Sequence, residues 1–170
     1  MKILVTFWSQ TGNTKKVAEA IFGALHEAKE IKPFDEIDTL DGFDLTFLGF
    51  PVMQFGAPVA VQKIISAHCE GKKIALFVTH AMRSESEDPQ QKAMLEKEMD
   101  KCRSAFSKAD LVGMFHCQGE LSEKIARELL ASKIPMLMQF AGMRPATTGH
   151  PDQQELEQAG DFARKILSAM

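Results

Sequence analysis

The sequence has no tyrosine and a single tryptophan, Trp8, so a Trp–Tyr platform for a planar ligand is excluded. Its three cysteines, Cys69, Cys102 and Cys117, are odd in number and far apart. Neither a CxxC nor a Cys/His metal spacing is present, which argues against a disulfide framework and against a metal centre and leaves reduced, buried thiols. There is no basic stripe, and a net charge of −3 excludes nucleic acid as a natural partner. No apolar run reaches transmembrane length. The start, Met1–Val5, is too short for a signal peptide and runs directly into a strand pattern, so a cytoplasmic protein away from membranes is expected. Repeats, low-complexity tracts and linker composition are also missing. With 170 residues the chain is expected to form one domain, 1–170, able to bury a core without staples.

What is present is an alternation of short apolar runs and amphipathic stretches. Ile3–Phe7, Asp44–Gly49, Ile74–Val78 and Leu111–Cys117 read as buried parallel strands. Between them, Val17, Ile21 and Leu25 form one helical stripe, Val61, Ile64, Ile65 and His68 a second, and Leu95, Met99, Cys102 and Phe106 a third. Asp88-Pro89 and Ser122 mark helix starts, and Asp152 with Glu155 has the spacing of a capping box ahead of a final helix. That helix buries Leu156, Ala159, Phe162, Ala163 and Ile166. Only the second strand, near Ile31–Ile37, is weakly marked. Met136–Met143, a Met-rich segment after Pro135, reads as continuing core, with a cleft cover or a dimer contact as alternatives. The pattern predicts an α/β fold: a doubly wound parallel sheet with helices on both faces and the ligand at the carboxyl ends of the strands.

The loop Ser9-Gln10-Thr11-Gly12-Asn13-Thr14 connects the first strand to the first helix. It offers hydroxyls, a side-chain amide and a glycine where the backbone must turn tightly. Free N–H groups at a helix start, with the helix dipole behind them, suit a phosphate dianion. Helix capping alone would use the same residue types. The loop lacks the Gly-Lys-Ser/Thr ending of the P-loop and does not match the dinucleotide GxGxxG. Lys15 and Lys16, on the helix itself, read as solvated.

This hexapeptide resembles the FMN-phosphate loop of flavodoxins, whose pattern is a hydroxyl residue, any residue, then Thr-Gly-Asn-Thr. Asp44–Gly49 resembles that family's third strand, the strand after Gly71-Lys72-Lys73 its fourth, and Gly149-His150-Pro151-Asp152 with its helix the family's carboxyl end. The resemblance spans essentially the whole chain and implies a flavodoxin-like sheet of five strands in the order 2-1-3-4-5. It also implies FMN as the cofactor, with the isoalloxazine ring held by two further loops. By position these are Pro51-Val52-Met53-Gln54-Phe55-Gly56 and Thr79-His80-Ala81-Met82. Many flavodoxins stack a Trp and a Tyr on the ring. Here Met53 falls where the Trp would be, and Phe55 is the alternative stacker. His80 is placed to hydrogen-bond the ring or move a proton, or else to bond backbone. Gly119 is placed to allow close approach of a cofactor.

The family resemblance implies an electron carrier serving redox protein partners, without catalytic residues of its own. The missing sandwich favours an alternative, an FMN-dependent NAD(P)H oxidoreductase of quinone-reductase type acting on a small acceptor. A flavin-free module on the same fold is a third class. Glu85, Glu87 and Asp88 form a possible acidic rim for basic partners, or a solvated loop cluster. A monomer or weak homodimer is expected.

Overall fold

Apolar runs bounded by polar turns become the strands of the computed structural model, which describes residues 1–53 and 56–170. The elements alternate as β1 (Lys2–Phe7), α1 (Asn13–Ala24), β2 (Ala28–Pro33), β3 (Leu45–Pro51), α2 (Val59–His68) and β4 (Lys73–His80). They continue as α3 (Pro89–Ser104), β5 (Asp110–Gln118), α4 (Glu123–Ala131), α5 (Pro135–Gly142) and α6 (Gln153–Ser168). All strand pairs are parallel, and the sheet order is β2-β1-β3-β4-β5. Both the expected fold class and the expected strand order are therefore observed.

Strand alternation sends successive side chains to opposite faces, and each face has its own core. Leu4, Leu48, Phe50, Leu76 and Val78 pack under α2 and α3, where they meet Val61, Leu95, Met99 and Cys102. Ile3, Val5, Phe47, Ala75 and Phe77 pack under α1 and α6, against Val17, Ile21, Ala159 and Ala163. Burying each such Leu or Phe side chain contributes about 1.5–3 kcal/mol, so the two covered faces dominate stability. Gly49 on β3 is dictated by this packing. A Cβ there would stand 1.9 Å from the ring of Phe77, which fills that space instead.

The predicted helix starts hold. Asp88 caps α3 by accepting from Gln90 N–H with Pro89 in the first turn, and Ser122 caps α4 through Ile125 N–H. Asp152 and Glu155 form the complete capping box of α6.

Two expectations need correction. The second strand lies at Ala28–Pro33, earlier than Ile31–Ile37, and Phe34–Glu36 turns into a 3-10 helix. As an edge strand, β2 needs little apolar signal; Glu30 is held between Lys2 and Lys32 at 2.8 Å each. Met136–Met143 is core only in part, through Phe140 and Met143, which pack against the main core. It lies mostly in the short helix α5, where Met136 and Met138 are exposed and only Ala141 is buried. The α4–α5 pair forms a small cluster of its own with Leu121, and Ala81 packs against it.

Candidate functional site

The carboxyl ends of β1, β3, β4 and β5 bring together the loops that the sequence singles out. The phosphate-type loop leaves β1 at Trp8, whose N–H donates to Gly49 O at 2.9 Å. Its turn closes at Gly12, with φ +93°, and Gly12 N–H donates to Ser9 Oγ at 3.1 Å. That left-handed conformation is why glycine is needed here. Gly12 is also the N-cap of α1, so no side chain caps this helix. Lys16 N–H reaches Gly12 O at 3.0 Å. The N–H groups of Asn13, Thr14 and Lys15, in the first turn, have no helical acceptor. An uncapped, outward-facing helix start with exposed Gln10 and Thr11 beside it is a donor set that fits a phosphate.

The other polar groups of the loop face the protein. Asn13 Nδ2 donates to Glu120 O at 2.8 Å. A Cβ on Gly119 would come within 2.9 Å of that same nitrogen, so Gly119 makes room for Asn13, a neighbour the sequence did not indicate. Thr14 is buried and its hydroxyl lies 2.9 Å from that of Thr79 on β4. Thr79, expected in a ring loop, thus also ties the sheet to α1. Lys15 and Lys16 are exposed, as expected.

In the first ring loop Val52 N–H donates to Thr79 O at 2.8 Å, extending Pro51 along the sheet. Met53 and Gly56 pair with each other, N–H to O in both directions at 2.9 and 3.1 Å. Met53 is one-third exposed, so its thioether is available to a ligand ring. Gln54 and Phe55, the remaining candidates here, lie outside the described residues.

The second ring loop is held more tightly. His80 is buried, its Nδ1 3.0 Å from Met82 O and its Nε2 3.0 Å from His116 Nδ1. Burial, with the His116 ring adding to it, pushes the His80 pKa down to about 3, so the ring is neutral. A carbonyl only accepts, so Nδ1 of His80 carries the proton and its Nε2 is an acceptor. Ala81 O accepts from Gln118 Nε2 at 3.1 Å, and His80 O from Gly119 N–H at 2.8 Å. Three successive carbonyls, His80, Ala81 and Met82, are therefore occupied. The N–H groups of Ala81 and Met82 have no partner among the described residues. This loop offers donors to a ligand, and Met82 itself is core.

His116 and Gln118 were not singled out by the sequence. Their roles depend on β4–β5 register, which places Val78 opposite His116 and His80 opposite Gln118. A cavity of about 260 Å³ lies on the outer side of β5, reached by Arg83, His116, His150 and Glu155 but by none of Ser9–Thr14. His150, Asp152 and Glu155 crowd together there, yet both Glu155 oxygens already accept hydrogen bonds from Gln118 N–H, Asp152 N–H and His150 Nδ1. The capping box explains that cluster. All three cysteines are free and buried, and burial pushes their thiol pKa values up, which makes them unreactive. Of the acidic rim, Glu85, Glu87 and Asp88 are exposed, Asp88 being the cap of α3.

With this arrangement in view, the model of the flavodoxin domain family matches residues 4–164. The chain belongs to the flavodoxin family. A flavodoxin-like domain-containing protein, BilS of Clostridioides difficile (strain CD3), is 30% identical over 177 residues, covering 98% of this chain and 97% of that protein. Oxidised flavodoxin 2 from Bacillus cereus superposes with a TM-score of 0.56 at 17% identity, covering 100% of both chains. The flavodoxin of Streptococcus pneumoniae TIGR4 gives 0.59 at 12% identity, again over 100% of both. At such identities the structural matches establish the flavodoxin fold alone. Among the described residues no helix is long and apolar enough to cross a membrane.

Proposed function

We propose that the chain binds one FMN and carries electrons between redox protein partners. The observation that carries this reading is the uncapped start of α1, where Gly12 closes the turn and no side chain takes up the first-turn N–H groups. Such a site recognises a phosphate dianion without a cation. Ser9, Gln10, Thr11, Gly12, Asn13 and Thr14 form this end, Asn13 and Thr14 by bracing the helix start. Pro51–Gly56 and Thr79–Met82 form the ring end, to which Met53 contributes a partly exposed thioether and Ala81 and Met82 contribute N–H groups with no partner among the described residues. Bound FMN supplies the redox chemistry of its isoalloxazine ring; the protein holds, orients and desolvates it. None of the residues in these loops is assigned an acid, base or nucleophile role.

The test is a titration with FMN, FAD and riboflavin followed by the flavin's visible bands. FMN should bind tightest, because neither rival presents a terminal phosphate to the loop. Equal affinity for riboflavin sinks the phosphate-site reading.

A second reading, an FMN-dependent NAD(P)H oxidoreductase, draws on the missing aromatic sandwich: a one-third-exposed Met53 leaves a ring face more open than a stacked indole would. Rapid bleaching of the bound flavin by NADPH alone selects this enzyme over the carrier.

A further inference from the structure

The buried His80 is hydrogen-bonded to a second histidine, His116 of β5. Three facts fix the direction of their contact. The Nδ1 of His80 donates to Met82 O, the ring is neutral, and its Nε2 therefore accepts. The proton between the two rings belongs to His116 Nδ1, 3.0 Å away. The rings lie with centroids 5.1 Å apart and planes inclined by 46°. His116 is half-buried at the cavity outside β5, while Met82 O belongs to the second ring loop.

We infer that His116 is a positioning residue for the ring end of the site, acting through a directional chain from His116 Nδ1–H to His80 Nε2 and from His80 Nδ1–H to Met82 O. This rests on the proposed FMN site and adds a residue outside the loops that would touch the ring. Without the donor on His116, His80 is left with an unpartnered buried nitrogen. Its ring can then turn over, exchanging Nδ1 and Nε2 and releasing Met82 O. The chain also tolerates a proton on the outer nitrogen of His116, since that leaves Nδ1–H in place. Burial disfavours that proton, and so does Arg103 of α3. Arg83 and Glu85 of the following loop, and His150, Asp152 and Glu155 at the start of α6, share the cavity with His116.

The experiment has two arms. Long-range ¹H–¹⁵N NMR of the histidine rings in the native protein near neutral pH should find both His80 and His116 as Nδ1–H tautomers, the minority form for a solvated histidine. An Nε2–H tautomer at either ring overturns the chain. Riboflavin, which lacks the phosphate, then probes the ring end in His116→Phe and His116→Asn. The Phe variant removes the donor and should weaken riboflavin binding roughly 5- to 10-fold, the scale of one buried hydrogen bond. The Asn variant restores an N–H near the Nδ1 position and should recover most of that loss. An Asn variant as weak as the Phe variant, or a Phe variant equal to native, overturns the positioning role. Should native protein bind neither flavin, the FMN reading fails, and the tautomers alone decide the chain.

Discussion

The two ends of the proposed FMN site are built by different means. The proposed phosphate end is a single run of six residues, Ser9–Thr14, that leads into a helix start with a glycine at the N-cap and no side-chain cap. The proposed ring end is assembled from separate strands, and the carbonyls of His80, Ala81 and Met82 accept from Gly119 N–H, Gln118 Nε2 and His80 Nδ1. One end thus rests on open N–H groups alone, while the other sets the open N–H groups of Ala81 and Met82 beside carbonyls that are already paired. Local chain geometry is enough for the first. The second needs the register of β4 and β5, and so is sensitive to substitutions that touch no ligand.

The largest expected break in this contrast is at Thr11, which is exposed and makes no hydrogen bond that the fold needs. Thr11→Asp puts a carboxylate beside the phosphate position and should weaken FMN roughly 100-fold by charge repulsion. Riboflavin affinity should stay at the native level, which the same titration checks. Equal losses for both flavins would mean that the loop acts on the ring rather than on the phosphate.

Next in size is a pH effect confined to the ring end. The His80 pKa falls from 6.5 to about 3 on folding, because burial disfavours the imidazolium. Between those values the unfolded chain binds more protons than the folded one, so stability is lost as pH falls through this window. The contribution of His80 approaches about 1.4 kcal/mol per pH unit there. Urea unfolding of native protein and His80→Asn across pH 4–7 isolates it, since the variant should lose that part of the slope. Parallel pH profiles would remove His80 from the account.

These differences also mark what was legible in the sequence. The strand–helix alternation and the caps Asp88, Ser122 and Asp152 are local signals, the sheet order is what the flavodoxin resemblance implies, and all of them hold in the structure. The turn at Gly12 was equally plain, as one residue type at one spacing. The pairing of His80 with His116, 36 residues apart, was not. It depends on a β-bulge at Ile74/Ala75 that sets the β4–β5 register beyond it. Likewise the meeting of the Thr79 hydroxyl with that of Thr14 has no signal in the sequence, because strand position does not say where a hydroxyl points. The second strand was misplaced because an edge strand carries charge where a central strand carries valine. Met136 and Met138 misled because hydrophobicity alone does not distinguish a core helix from an exposed one.

The contact between the two ends gives a sharper, smaller test. Thr14→Val leaves the buried Thr79 hydroxyl unpaired and should cost about 1–3 kcal/mol, as should Thr79→Val. The double variant removes both hydroxyls and should recover much of that loss, since two matched methyls leave nothing unsatisfied. Simple additivity in chemical denaturation would show that the hydroxyls do not serve one another. Smallest of all is Met53→Ala. Stability should change by less than about 0.5 kcal/mol at this partly exposed position. FMN and riboflavin should weaken together by a few-fold, because the thioether packs on the ring both share.

The central claim is that the open start of α1 is a phosphate site. Side-by-side titration of the purified protein with FMN and riboflavin, read from the perturbed visible spectrum, tests it most directly. The account predicts that FMN binds at least 10-fold tighter than riboflavin, the margin expected of charge-assisted bonds to the phosphate. Equal affinities, or spectra unchanged by either flavin, would contradict it.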